Sequence, residues 1–303
     1  MIKLLEKDSI IRNRYRVLRV LGQGGMGAVY LVRDHKEKGA TWAAKEFWHS
    51  HEEKLFSKEA SLLMELSHWG LPRVVDYFTE YEKNYLIMER IEGLTFEDIV
   101  TKNGTFIPRE IYPWALQLCE VLHYLHTRNP PVIFRDLKPS NIMLNIDGKV
   151  RLIDFGIARF YEPQKLKDTT PLGTPGYSPP EQYGRGQTTP SSDIYSLGAT
   201  MYFLLTGKDP AEFSFAFPRL REINKQICPD FDQIVMTCLE LKPKNRYESA
   251  LEVEGALKNW RESRITWFDE FKKWLLDMLE SKKMPQTVRQ IGTKITRPLK
   301  RER

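Results

Sequence analysis

Hydrophobic rhythm changes once along this chain, at Gly93, and divides it into a strand-rich part and a helix-rich part. Before that point, residues 15–21, 28–33, 41–47, 74–78 and 85–89 read as strands. A single helical stretch interrupts them at 52–66, with Leu55, Leu62, Leu63 and Leu66 as its apolar members. The break itself is Ile91-Glu92-Gly93. Beyond it, a helix is expected from Pro108 to about His126, with Trp114, Leu118, Val121, Leu122 and Leu125 facing a core. Further helices are expected over 193–206, 231–239 and 249–260, and short strands at 141–144 and 150–153 flank the turn Asp147-Gly148. Residues 167–190, rich in Thr, Pro and Gly, make a long loop, and loops of that length are usually functional. The expected fold is therefore α+β and two-lobed. An extension (1–14) precedes a small β-rich N-lobe (15–90), a larger α-helical C-lobe (91–262) follows, and an amphipathic helix with a basic, partly disordered tail (263–303) ends the chain.

The 303 residues, 41% hydrophobic and 28% charged, suit a soluble globular protein with more than one core. Ser196, Gly198 and Thr200 interrupt the most apolar run, 194–205, which is too short to cross a bilayer. Residues 1–12 carry Lys3, Glu6, Lys7 and Asp8 with no apolar core, which argues against a signal peptide. Cys119, Cys228 and Cys238 have no metal-binding spacing and read as reduced thiols of a cytoplasmic protein. Net charge is +6, but residues 263–303 alone hold eleven Lys or Arg against five Asp or Glu. The rest is neutral, so the basic pI does not point to nucleic acid.

Four groups in a fixed order carry chemistry. Gly22-Gln23-Gly24-Gly25-Met26-Gly27 lies between two strands, where a backbone without Cβ atoms can cover phosphates. Alone it is a weak signal. The dinucleotide version of such a loop runs from strand to helix, whereas residues 28–32 here continue as a strand. Lys45, between apolar neighbours on a strand, needs an anion or water, and Glu59 on the following helix is the natural partner; two exposed charges is the bland alternative. Residues 133–141 crowd Arg135, Asp136, Lys138 and Asn141 into one loop. There a carboxylate could take a hydroxyl proton, an ammonium could hold a phosphoryl group and an amide oxygen could bind a metal. Asp154-Phe155-Gly156 then places a second carboxylate after an apolar strand.

Together these residues resemble the protein kinase family over about residues 15–260, and Gly173-Thr174-Pro175-Gly176-Tyr177 looks most like its bacterial serine/threonine branch. The resemblance rests on Gly22, Gly24, Gly27 and Val29, on Lys45 and Glu59, on Arg135, Asp136, Lys138 and Asn141, and on Asp154, Phe155 and Gly156. Ser178-Pro179-Pro180-Glu181, Asp193 and Arg246 complete it, with Arg246 as the expected buried partner of Glu181. Three positions depart from the family pattern. Phe134 stands where histidine is usual and is expected to stack with Phe155, Leu63 and Val75. Ser178 replaces an alanine, and Trp42 replaces a valine on the strand's outer side.

The resemblance implies an ATP- and Mg²⁺-dependent serine/threonine protein kinase, with Mn²⁺ as a substitute ion. Leu21, Gly22, Gly24, Gly25, Gly27, Val29, Ala43, Lys45, Met88, Glu89, Ile91 and Met143 would bind the nucleotide. Asn141 and Asp154 would hold the metal, and Asp136, Lys138, Lys45 and Glu59 would be catalytic. Thr174 would bridge Asp136 and Lys138. Thr169 and Thr170 would be autophosphorylation sites facing Arg135. A pseudokinase, or a phosphotransferase for small molecules, is the alternative.

In the tail, Trp267, Phe268, Phe271, Trp274, Leu275, Met278 and Leu279 share one helical face. That face calls for burial on the large lobe, a partner protein, a second copy or an anionic membrane surface. His123 and His126 lie three apart on a helix, but no acidic or cysteine ligand accompanies them, so ordinary structural roles are expected.

Overall fold

The computed structural model describes residues 4–25, 27–48, 53–154, 159–160, 173–183 and 187–260. A six-stranded antiparallel sheet forms the first lobe: β1 (Ile10–Ile11), β2 (Tyr15–Gly24), β3 (Gly27–Asp34), β4 (Thr41–Phe47), β5 (Val74–Glu80) and β6 (Lys83–Met88), in the order β1-β2-β3-β4-β6-β5. Helix α1 (Glu53–Met64) crosses one face. Arg12 and Asn13, both at positive φ, make the tight turn that folds β1 back on β2. The glycine loop closes the β2–β3 hairpin, pairing Gly22 with Val29 and Gly24 with Gly27. Gly27 cannot be replaced without movement, because a Cβ there would lie 1.9 Å from the Glu46 carbonyl oxygen.

Strand alternation gives the sheet two apolar faces. Ala43, Val74, Leu86 and Met88 pack with Phe56 and Ala60 of α1. Tyr15, Val17, Ala28, Tyr30, Val32, Ala44, Phe78, Tyr85 and Ile87 form a cluster on the other face. The sheet curls around this second cluster until its far strands meet. Tyr15 stacks on Phe78, and its hydroxyl donates to Asp76 at 2.7 Å. Trp42 lies on this outer face as expected, with the Arg73 guanidinium 5.6 Å above its ring.

The second lobe begins with β7 (Leu94–Thr95) and α2 (Phe96–Asn103), whose first turn is capped by the Thr95 hydroxyl accepting from the Asp98 N–H. Next come α3 (Pro108–His126), β8 (Val132–Ile133), β9 (Ile142–Leu144), β10 (Val150–Leu152) and β11 (Arg159–Phe160). Helices α4 (Pro190–Thr206), α5 (Leu220–Ile223), α6 (Pro229–Cys238) and α7 (Ala250–Asn259) complete it. Almost every residue of α4 is buried, so it is the central post of this lobe. In the same core Phe106 meets Phe96 and Trp114 edge to face, and the Phe96 and Trp114 rings are tilted against each other.

Phe134 is fully buried in the large-lobe core, with Leu63 packed against that core. Val75 does not join them. A register shift between Val74 and Asp76 turns Val74 toward α1 and Val75 toward the outer face, so Val74 occupies the place expected for Val75. Phe155, Gly156, Met26, Thr169, Thr170 and the whole of 263–303 lie outside the described residues.

Candidate active site

A cleft of about 580 Å³ lies between the lobes. Its walls include Leu21, Val29, Ala43 and Met88 from the sheet and Met143 from β9, which give it an apolar lining. The connection Glu89, Arg90 and Ile91 closes its back, and Lys45, Asn141 and Asp154 stand together at its inner end. Of the expected loop glycines, Gly22 borders the cleft, and Gly24, Gly25 and Gly27 lie further along the hairpin. A Cβ on Gly22, Gly24 or Gly25 would meet no atom within 4 Å, so packing within the protein does not require these three glycines. Open space beside these three glycines suits a phosphate chain.

Lys45, almost fully buried, pairs with Asp154 Oδ1. The expected partner, Glu59, is on α1, with its side chain outside the described residues. Asn141 donates from Nδ2 to Asp136 Oδ2 at 2.7 Å and to the Asp136 carbonyl at 2.9 Å. Its side-chain oxygen is left for another partner. Thr174 donates to Asp136 Oδ1 at 2.7 Å and accepts from Lys138 Nζ at 2.6 Å, while that ammonium lies 3.1 Å from Asp136 Oδ2. The bridge expected from Thr174 is therefore formed. It holds carboxylate and ammonium side by side.

The loop carrying these groups is pinned from below. Arg135 sits at φ 69°, a conformation costly for a non-glycine residue. The buried Asp193 on α4 offsets that cost by accepting the backbone N–H groups of Phe134 and Arg135 at 2.8 Å each. His126 Nε2 lies 2.8 Å from the same carboxylate. Gln182 donates to the Arg135 carbonyl at 2.9 Å, and Thr200 donates to that of Leu137 at 3.3 Å. Beyond the loop, Arg246 grips Glu181 through both oxygens, at 2.7 and 3.0 Å. Segment 173–183 is thereby tied to the large lobe.

Several cleft residues escaped sequence reasoning: Arg19, Pro72, Glu92, Gly93, Thr95, Asp98 and Ile153. The pattern Thr95-x-x-Asp98 is a helix-start signal and could have located two of them. Glu89 was expected at the back of the cleft, but its side-chain partner was not. Arg151 of β10 donates to its carboxylate at 2.7 Å and to the Leu71 carbonyl at 3.0 Å, linking the two lobes.

Residues 15–261 match the protein kinase domain family. Serine/threonine-protein kinase C of Synechocystis is 34% identical over 82% of this chain and 50% of its own length. PknB of Mycolicibacterium smegmatis is 32% identical over 82% of this chain and 43% of its own, and PrkC of Bacillus subtilis is 30% identical over 82% and 40%. The chain thus spans half or less of the length of these relatives. Among solved structures, the PknI kinase domain of Mycobacterium tuberculosis superposes with a TM-score of 0.69, at 22% identity, over 84% of this chain and 99% of that one.

Proposed function

The chain belongs to the protein kinase domain family, and from that premise we propose that it transfers the γ-phosphoryl group of ATP to serine and threonine hydroxyls of proteins. The observation that carries the proposal is the triad of Asp136, Lys138 and Thr174, set beside Asn141 at the inner end of the cleft. Adenine fits the slot between Val29 and Ala43 on one side and Met143 on the other, with the Glu89 carbonyl and the Ile91 backbone as partners for its edge, the Glu89 N–H being bonded to the Arg73 carbonyl at 2.8 Å. Gly22, Gly24, Gly25 and Gly27 would cover the phosphates, and Lys45, oriented by Glu59, would contact them.

Family membership implies a divalent metal ion, and the donors present fit magnesium: the free oxygen of Asn141 and the carboxylate of Asp154 are hard ligands. Bound there, the ion would neutralise phosphate charge. Asp136 accepts the proton of the substrate hydroxyl as its oxygen bonds to phosphorus and the bond to the leaving diphosphate breaks. Lys138 offsets charge on the transferring group, and Thr174 holds Asp136 and Lys138 side by side through its hydroxyl. Positioning and charge neutralisation do most of the work.

Residues 15–90 serve as the nucleotide-covering lobe and 91–262 as the catalytic and substrate-binding lobe. Thr169 and Thr170 are proposed as self-modified sites, with Arg135 as the phosphate partner. The free Cys119, Cys228 and Cys238 support a reducing, cytoplasmic setting. For 263–303, the one-sided aromatic pattern and basic excess support docking on a partner protein, a second copy or an anionic membrane surface.

The test is transfer of labelled phosphate from Mg-ATP to a generic protein substrate, run beside a panel of sugars and antibiotics. Label on protein serine or threonine is expected. Label confined to a small molecule would replace the proposal with a phosphotransferase of that class.

A further inference from the structure

Alternation along β4 sends Lys45 and Glu46 to opposite faces of the sheet. Lys45 reaches the cleft, and Glu46 is fully buried on the outer face. A carboxylate removed from water is costly unless it is paired and hydrogen-bonded. Glu46 is both. The Tyr30 hydroxyl donates to Oε2 at 2.6 Å, the Tyr85 hydroxyl lies 3.5 Å from Oε1, and Lys83 Nζ pairs with Oε1. Burial, reinforced by this carboxylate, raises the pKa of both tyrosines and keeps them protonated as donors.

These partners come from both neighbouring strands, Tyr30 from β3 and Lys83 and Tyr85 from β6. The carboxylate therefore ties three strands together at the rung Ala28, Glu46 and Tyr85. The adjacent rung is Val29, Lys45 and Leu86. Position on one rung fixes position on the next.

The network has a fourth contributor, far away in sequence. The Leu5 backbone N–H donates to the Tyr30 hydroxyl oxygen at 3.2 Å, and Leu4 and Leu5 pack on the outer apolar cluster. Residues 4–11 are held there by bonds between Asp8 N–H and the Val17 carbonyl and between Val17 N–H and the Ser9 carbonyl, each 2.8 Å. Just beyond, Arg12 donates from its backbone to Glu80 at 2.8 Å and from its guanidinium to Asp76 at 2.7 Å. The segment thus lies over β2 and β3, and Arg12 continues the contact to β5.

We infer that residues 4–11 are a strap that completes the Glu46 network and thereby sets where β4 holds Lys45 in the nucleotide cleft. Glu46 is then a positioning residue for phosphoryl transfer, acting through Lys45 and touching no substrate. The inference rests on the kinase function proposed above.

The test compares the full chain with its Glu46→Gln, Tyr30→Phe and Leu5→Pro variants; the last removes the donor to Tyr30. KM for Mg-ATP should rise about tenfold in Glu46→Gln and about threefold in the other two, because a small displacement of a phosphate-contacting group is enough to cost that much. KM for the protein substrate should stay within about twofold, since the other lobe would bind it. Glu46→Gln combined with Tyr30→Phe should be no worse than Glu46→Gln alone, as expected for members of one network. Folded variants that melt earlier yet keep the wild-type KM for Mg-ATP would overturn the inference and leave the network a packing feature. If Glu46→Gln fails to fold, Tyr30→Phe, which keeps the ring, carries the same comparison. A wild type that binds Mg-ATP but transfers nothing would overturn the kinase reading instead. The strap would then be judged on the same variants by Mg-ATP dissociation constants.

Discussion

Replacing Arg246 with leucine removes the anchor of segment 173–183. The guanidinium is fully buried and satisfied within the protein. It donates twice to Glu181, and to the carbonyls of Ser191, Glu240 and Leu241 at 2.9, 2.7 and 3.1 Å. Leucine would leave Glu181 with the Ser192 hydroxyl, at 2.9 Å, and would strip the three carbonyls of this donor. Removing one member of a buried pair costs about 3–5 kcal/mol. In a domain of this size each kcal/mol lowers the melting temperature by about 2–4 °C, so the midpoint should fall by about 6–20 °C. Thermal melts followed by circular dichroism read this directly. Steady-state kinetics near 20 °C should show a raised KM for the protein substrate and an unchanged KM for Mg-ATP, because Arg246 lies outside the cleft. Adding Glu181→Leu should recover part of the lost stability, since the orphaned charge is gone. A midpoint within about 2 °C of wild type would refute this reasoning.

Asp136→Asn should lower transfer by about a thousandfold, the scale of a lost general base, while the melting temperature stays close to wild type; near-normal turnover would remove that role. Thr174→Ala, which deletes the bridge between Asp136 and Lys138, should cost about tenfold in kcat, and Thr174→Ser should restore it. Equal losses in both variants would show that the hydroxyl is not what matters. Burial lowers the pKa of His68, assisted by Arg128 and Arg151 and opposed by Glu120, and its Nδ1 accepts the Gly70 N–H at 3.1 Å. The unfolded chain therefore takes up this proton first as pH falls. The associated stability is complete above pH about 6.5 and declines below it, a slope that His68→Gln should flatten in urea titrations.

Much of this arrangement was legible because its signals are local. Residues 133–141 concentrate their chemistry in one loop, and Pro108 marks the start of α3 as expected. What stayed hidden depends on geometry the local pattern does not carry. β1 has two residues, too few for any periodicity, and its one clue is Asn13 in the turn. Val75 was assigned to the wrong face because the irregularity beside Asp76 breaks the alternation that sequence reading assumes. Helix α2, which the Thr95 cap could have located, was missed because it is short and follows a two-residue strand. The Glu89–Arg151 link and the Glu46 network join residues 62 and up to 39 positions apart, and each member alone reads as an ordinary surface charge or strand aromatic.

The most direct test is a crystal structure with a non-hydrolysable ATP analogue and manganese, whose anomalous signal locates the ion without ambiguity. The account predicts a peak between the Asn141 side-chain oxygen and the Asp154 carboxylate, with Lys45 released from Asp154 onto the phosphates and adenine against Met143. A peak remote from both residues, or a nucleotide outside the cleft, would contradict it.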